Sequence, residues 1–497
     1  MDFIIIANTW NAGRDNPTSK HRIAIELVRR GHKVLWIEGS GMRTPSMGSS
    51  HDRLRMVRKV VAALRGVRTE TIDLREKNFE QKVTKHAKEE NCISAKGGEI
   101  NPPSRSSRAS VQISSSSIRV LSPLFIPLPK YAWVRRLNGL ICRWNMRYWG
   151  WRLGFKDPVL INYVPVLAEA MRGWRRTSQT SDHRPQTLDR RAENLEQKTA
   201  KSTKEENCIS AGGGEENPPS RSSRTSVQIS SSRSKVYGLR SAVSPHAPRV
   251  VYHCVDRWDA FSTYDSNMMA EMDKRCCQNA DLVIASSQDL VERCRRHSAN
   301  VHLVSHGVDH DHFSQALQTT QRPADLPPGR VAGFFGLLSE WLDQDILIEV
   351  ARRVPECEIV LIGKADVSIE RLKAIHNIHL LGPRPFSQLP AYVAHFDVGL
   401  IPFVINELTL AVNPIKLREM LSAGCPVVST DLPEVHAYKG RGVVVAVSAG
   451  AFAAAVEQRI RNPALTAERA QISAGVANET WLAKVDEILA LLNVSSR

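Results

Sequence analysis

Short runs that are apolar at every residue, rather than at every second one, recur along both halves of this chain, and they admit few folds. In the first half Phe3 to Ala7 is such a run, followed by a helical stretch from Ser19 to Arg30, a Gly31 stop and a second run from Lys33 to Glu38. Further runs fall at Pro158 to Tyr163, Arg249 to Cys254, Leu282 to Ala285 and Val301 to Val304. A strand with one solvated face alternates. A strand buried on both faces belongs in a parallel sheet covered on each side by helices. The second half repeats the pattern with strands at Arg330 to Phe335, Glu358 to Ile362, Ile378 to Leu381, Val398 to Ile401 and Val427 to Ser429. Helical stretches at Asp345 to Arg353, Leu389 to Ala394 and Lys416 to Ser422 separate them. The fold class is therefore α/β, with two Rossmann-like domains. They are expected at residues 1–316 and 330–497, divided by the proline-rich stretch Gln318 to Gly329. Two such sheets facing each other leave a cleft, and open parallel sheets bind ligands beyond the C-terminal ends of their strands.

At 497 residues the chain is too long for one core. Part of that length is a duplication. Asn78 to Ser117 returns as Asn194 to Arg233 at an offset of 116, with Glu-Glu-Asn-Cys-Ile-Ser-Ala at Glu89 to Ala95 and again at Glu205 to Ala211. Both copies are rich in Ser, Arg, Glu, Lys and Pro and offer too little apolar surface to offset chain entropy. The expectation is two disordered low-complexity inserts in the N-terminal domain, at about 76–117 and 176–247. A solenoid would need at least three stacking units with an apolar face, and the duplication has neither.

The net charge of +16 suits a nucleic acid, an anionic membrane surface or a phosphorylated substrate. The excess is local, in Arg53 to Arg68 and Arg172 to Arg191, and no zinc-finger spacing, basic zipper or RNA-binding aromatic signature accompanies it. No nucleic-acid partner is expected. The cysteines at 92, 142, 208, 254, 276, 277, 294, 357 and 425 form no CxxC pairs and have no matched histidine spacing, so no metal site or disulfide framework is expected. The chain begins in an apolar strand without a basic leader, and no apolar run approaches the roughly 20 residues that span a bilayer. These features predict a cytoplasmic protein that touches the inner face of a membrane peripherally.

The stretch Asn413-Pro414-Ile415-Lys416-Leu417-Arg418-Glu419-Met420-Leu421-Ser422-Ala423-Gly424-Cys425-Pro426-Val427-Val428-Ser429-Thr430 resembles the nucleotide-sugar signature of the family 4 (group 1) glycosyltransferases. Gly333 to Gly336, Leu361 to Gly363, Leu381 to Arg384 and Phe396 to Phe403 share the likeness, as do Val251 to Asp259 and His306 to Asp309 in the first half. The resemblance spans nearly the whole chain outside the two inserts. It implies the GT-B architecture and the transfer of a sugar, with retention and without a metal or other cofactor, from a nucleotide-sugar donor to a glycan or lipid-linked acceptor.

Under that resemblance Glu419 matches the carboxylate that accepts from the ribose hydroxyls. Lys416 stands one turn earlier on the same helix face, where it either meets the pyrophosphate or pairs with Glu419. Asn413 opens the same signature. Gly336 and Gly363 end strands where a side chain would obstruct either a turn or a phosphate. Arg384 is either a second phosphate donor or a surface arginine. His253 and Asp256, at or just after a strand end in the first domain, are the candidate catalytic residues facing the transferred sugar, against a structural role for each. Trp258 and Trp341 either stack on a sugar or pack in a core. Two departures stand out. The family's other glutamate, seven intervening residues before Glu419, is Ala411 here, leaving Glu407 or Asn406 to substitute. The usual Arg and Lys after the strand ending at Gly336 are replaced by Leu337-Leu338-Ser339-Glu340. Other readings of the same architecture are a nucleotide-sugar epimerase and a non-catalytic binding protein.

Overall fold

The apolar runs pair in parallel, as their patterning requires. The computed structural model describes residues 1–7, 17–39, 66–72, 116–172, 174 and 249–493. The duplicated segments apart from Ser116 and Ser117, the arginine-rich stretches at 53–65 and 175–191, Cys92 and Cys208 lie outside the described residues, and those two serines, expected in the first insert, begin a strand instead. The first sheet contains β1 (Asp2–Ala7), β2 (Lys33–Glu38), β3 (Arg68–Ile72), β4 (Ser116–Leu121), β5 (Val159–Asn162), β6 (Val250–Cys254), β7 (Leu282–Ala285) and β8 (Val301–Leu303). Their order is β3-β4-β2-β1-β5-β6-β7-β8, parallel except for the antiparallel edge pair β3–β4. The second sheet contains β9 (Arg330–Phe335), β10 (Cys357–Ile362), β11 (Ile378–Leu380), β12 (Val398–Ile401), β13 (Val427–Thr430) and β14 (Val443–Ala446). Its order is β11-β10-β9-β12-β13-β14, with every pair parallel. That is the doubly wound arrangement, whose chain reverses direction of winding between β9 and β12. In the first sheet the corresponding point lies between β1 and β5.

The longer helices are α1 (Ser19–Arg29), α2 (Ala132–Arg152), α3 (Ser266–Asn279), α4 (Gln288–Arg295), α5 (Gln344–Arg353), α6 (Ile415–Ser422), α7 (Ala449–Arg461), α8 (Thr466–Ala474) and α9 (Trp481–Asn493). Local chemistry sets several of their ends. Asp265, Ser287, Asp343 and Ser448 cap α3, α4, α5 and α7 through side-chain oxygens that accept from backbone amides of the first turn. Gly31, at φ +80°, ends the turn after α1, where a side chain would be strained.

Each sheet has its own apolar core, and α9 joins the first of them although it follows the second sheet in sequence. Trp481, Val485, Ile488 and Leu492 are buried with Phe3, Ile23, Leu27 and Tyr163, and burying each contributes about 1.5–3 kcal/mol. The chain thus crosses between cores twice, from Val304 to Val308 and back from Val476 to Trp481. The two crossings lie side by side. Val308 and Thr480 form a parallel bridge in which the Val308 amide donates to the Glu479 carbonyl at 2.8 Å and the Trp481 amide donates to the Val308 carbonyl at 3.3 Å.

Gly307 makes this approach feasible. A Cβ there would lie 2.6 Å from the Trp481 backbone nitrogen and 2.8 Å from the Thr480 carbonyl carbon, neither of which can move without parting the crossings. Gly307→Ala is expected to destabilise the chain by at least about 2 kcal/mol, read as a lowered urea midpoint. An unchanged midpoint would mean that the crossings separate freely.

Candidate functional site

Of the residues expected to hold a donor, Gly336, Gly363, Lys416 and Glu419 lie near the winding reversal of the second sheet. β9 ends at Phe335 and turns at Gly336; β10 ends at Ile362 and turns at Gly363. The two turns pack backbone on backbone. The Gly336 amide donates to the Ile362 carbonyl at 2.9 Å, and a Cβ on Gly363 would stand 1.7 Å from the Gly336 carbonyl oxygen. With φ of +158°, Gly363 is required by the fold itself. Gly336 has a different neighbour: a Cβ there would lie 3.6 Å from Cε of Lys416. Lys416, in the first turn of α6, reaches over the Phe335 ring, 4.8 Å from its centroid, and its Nζ lies 2.8 Å from a Glu419 carboxylate oxygen. Glu419 is buried, while Lys416 remains partly open. Gly336, Lys416 and Glu419 are therefore brought together, with the first-turn amides of α6 beside them.

On the first domain the strand ends supply a buried cationic and imidazole cluster. His253 is on β6, and its Nδ1 lies 3.0 Å from the hydroxyl of Tyr163, the residue that follows β5. Burial holds the Tyr163 phenol well above its usual range, so it stays protonated. Taking that hydroxyl as donor to Nδ1 puts the ring's proton on Nε2, which is buried without a partner. Burial, and then Lys20, lowers the His253 pKa to about 3. His306 is likewise lowered to about 3 by burial, followed by Arg418, His253 and Lys20. Lys20, in the first turn of α1, is itself buried and shifted down by desolvation, which Asp256 opposes. Desolvation raises Asp256, which Lys20 opposes in turn. Lys20 also stands over Trp258, 5.3 Å from the ring centroid. Arg418, which directly precedes Glu419 on α6 and is held by Glu479 and Asn413, lies within electrostatic reach of His306.

Other expected residues have partners of their own. Asn413 is buried between Glu434, to which its amide donates at 2.6 Å, and Arg418, from which its oxygen accepts at 2.6 Å. Glu434 also accepts from the Gln288 amide at 2.8 Å, so Asn413 belongs to a strut between the domains. Arg384 is held by Asp325 and by the Tyr392 hydroxyl, with Nε to Oη 2.9 Å, rather than by the Lys416–Glu419 pair. Ala411 is buried in the first core, and its carbonyl accepts from Ser287 Oγ at 2.7 Å. Of its two candidate substitutes, Asn406 caps a short helix and Glu407 pairs with Arg257 at 2.8 Å. Trp258 is buried in the first core and Trp341 packs against the second.

Cys254, Asp273 and Cys294 place one ligand atom each within 4.8 Å of one another. The spacing in sequence did not suggest this group. Its carboxylate is already engaged, accepting from the Tyr252 hydroxyl and from Arg293 at 3.3 Å. Hydrogen bonding to Cys294 and then burial push the Cys254 thiol up. These three residues have the character of a buried packing cluster.

Lys20, Tyr163, His306 and Arg418 are the residues that sequence reading did not single out. A lysine in the first turn of the helix after β1 is the available signal for the first, since that turn sits where ligands of such sheets bind. His306 could have been taken from its own motif.

Residues 329–462 match the family Glycosyl transferases group 1, and over that segment the resemblance read from the signature is borne out. A Bacillus subtilis (strain 168) protein, provisionally named teichuronic acid biosynthesis glycosyltransferase TuaH, is 30% identical over 204 residues, covering 37% of this chain and 51% of that protein. The chain thus spans about half the length of this curated relative. Among solved structures, a sucrose-phosphate synthase from Thermosynechococcus elongatus aligns over 99% of this chain and 98% of its own at TM-score 0.54 and 11% identity. The catalytic domain of starch synthase IV from Arabidopsis thaliana, bound to ADP and acarbose, aligns over 100% and 99% at TM-score 0.53 and 8% identity. At such identities the likeness establishes the fold, which is the two-domain GT-B architecture.

The depressed histidines make stability depend on pH. Their folded pKa lies below the unfolded value, so between about 6.5 and about 3 the unfolded chain binds more protons. The stability they confer is complete above about 6.5 and falls on acidification, by about 1.4 kcal/mol per pH unit for each histidine. Thermal unfolding between pH 7.5 and 5 should show a falling Tm. His253→Gln should flatten that fall, and an equal slope in wild type and variant would contradict the buried neutral imidazole.

Proposed function

We propose that this chain is a glycosyltransferase that moves a sugar from a nucleotide-sugar donor to a glycan or lipid-linked acceptor, with retention of configuration and without a metal or other cofactor. The observation that carries the reading is the Lys416–Glu419 pair beside the Gly336 turn, at the winding reversal of the second sheet. A carboxylate buried there suits two adjacent ribose hydroxyls, since an ionised acceptor makes stronger hydrogen bonds than a neutral one. Lys416 and the first-turn amides of α6 suit a pyrophosphate, and they supply positive charge that the Leu337-Leu338-Ser339-Glu340 turn lacks. On the first domain, His253 Nε2 is a buried donor without a partner, which costs about 1–3 kcal/mol until something accepts from it. A hydroxyl of the transferred sugar fits that need. Asp256 and Lys20, each shifted toward neutrality by burial, are the groups beside it able to hold or move a proton. The family match over 329–462 and the relative's printed description as a teichuronic acid biosynthesis glycosyltransferase support the reaction class.

The experiment is nucleotide release from a panel of sugar nucleotides with a cell-envelope extract as acceptor. Glu419→Ala should reduce kcat/KM about 10- to 150-fold, the worth of one or two hydrogen bonds to a charged group. Unchanged release in that variant would remove Glu419 from the donor site. Recovery of an altered sugar still joined to its nucleotide would point to an epimerase, and saturable donor binding without any product would point to a non-catalytic protein.

A further inference from the structure

The longest helix of the first domain, α2, runs back from the loop after β4 to the start of β5 and has two apolar faces. One is ordinary: Val134, Asn138, Cys142, Met146 and Gly150 recur every fourth residue and are buried. The opposite face carries Trp133, Leu137, Leu140, Trp144, Tyr148 and Trp151, spaced by three or four so that they form one stripe. All of these are exposed, Trp133 by 60%, Trp144 by 63% and Trp151 by 77%. Trp144 and Tyr148 stack on each other, 5.2 Å between centroids and 3° from parallel. A continuous apolar stripe left in water marks a surface that meets something else.

The charges say what kind of surface that is. α2 holds Arg135, Arg136, Arg143, Arg147 and Arg152 and not one Asp or Glu. At 100° per residue Arg136, Arg143 and Arg147 lie along one flank of the aromatic stripe. Beside them is a groove of about 620 Å³ lined by Leu140, Arg143, Trp144, Arg147, Trp151 and Arg172. Indole and phenol rings in line with guanidinium groups suit the boundary of a lipid bilayer, where rings settle among headgroups and Arg meets lipid phosphates bidentately. A second copy of the chain is a poorer occupant, because a two-fold contact through this stripe would bring the arginines of one α2, which has no carboxylate of its own, against those of the other. Among the described residues no helix is long and apolar enough to cross a membrane, so contact through α2 would be interfacial.

We propose that the outward face of α2 docks this protein on an anionic bilayer surface, with Trp133, Trp144 and Trp151 at headgroup depth and Arg136 and Arg143 on lipid phosphates. The assignment does not depend on which reaction the cleft performs, because it is read without turnover. The test is co-sedimentation of the full chain with phosphatidylcholine vesicles with and without phosphatidylglycerol. Binding should need the anionic lipid and weaken as salt rises. Trp144→Ser with Trp151→Ser, and separately Arg136→Glu with Arg143→Glu, should each lower vesicle affinity by at least about tenfold. The two tryptophans and Arg136 are exposed and Arg143 is half-buried, and unchanged circular-dichroism melting confirms folding. Should the tryptophan variant misfold, the arginine variant decides by itself. Absence of binding at low salt, equal binding to neutral vesicles, or wild-type binding by the folded variants would overturn the proposal. So would a dimer in sedimentation that the tryptophan variant abolishes, which would give the stripe to a second copy.

Discussion

The double crossing at Val308 and Thr480 is the constraint from which the rest of the arrangement follows. Two backbones pass between the cores at one place and hydrogen-bond to each other there, with Gly307 leaving them room. A pair of domains tied at one such place keeps its facing strand ends in register while a few backbone torsions set their separation. Other ties described between the domains are the Ala411 methyl in the first core with the buried hydrogen bond from Ser287 to its carbonyl, and the exposed pairs Gln288 to Glu434, Ser262 to Glu340 and Arg257 to Glu407. The exposed pairs are worth at most about 1 kcal/mol each. The crossing and the buried Ala411 contact therefore hold the geometry and the exposed struts adjust it.

Charge in the cleft is distributed unlike the pattern that the signature leads one to expect. Where a second carboxylate would stand, Ala411 offers a methyl group to the first core and a carbonyl to Ser287. Where cations would follow β9, there are leucines, and Lys416 approaches the Gly336 turn from α6 instead. On the first domain the compensating feature is a dense set of groups that burial drives toward neutrality, with His253, His306, Lys20 and Asp256 each moved against its charged form. Desolvation is the first cause of each of these shifts, ahead of any neighbouring charge.

Much of the fold was legible because apolar runs such as Phe3 to Ala7 and Val398 to Ile401 carry their burial in every residue. β3 and β4 were not, since Arg68–Ile72 and Ser116–Leu121 are short, mixed in polarity and paired across a long segment of low complexity. α2 escaped notice for the opposite reason: with apolar residues on two faces and arginines between, its pattern has no single hydrophobic side to announce a helix. The site divides similarly. Lys416 and Glu419 were found because three residues of helix fix their relation whatever surrounds them. The burial of Lys20 against Tyr163 and Trp258, the Tyr163–His253 contact and the commitment of Asn413 to Glu434 join residues from 21 to more than 200 positions apart, which no local spacing encodes.

The return of α9 to the first domain has a consequence for synthesis. A nascent chain reaches the last strand of the first sheet at β8, yet the side chains of Trp481, Val485, Ile488 and Leu492 that close its apolar face emerge from the ribosome only after the whole second sheet. For that interval the second domain can complete itself while the first waits with its α1 face uncovered, so the later-made domain is the one that can mature first. Chaperone demand during translation should fall on the half that was translated earliest.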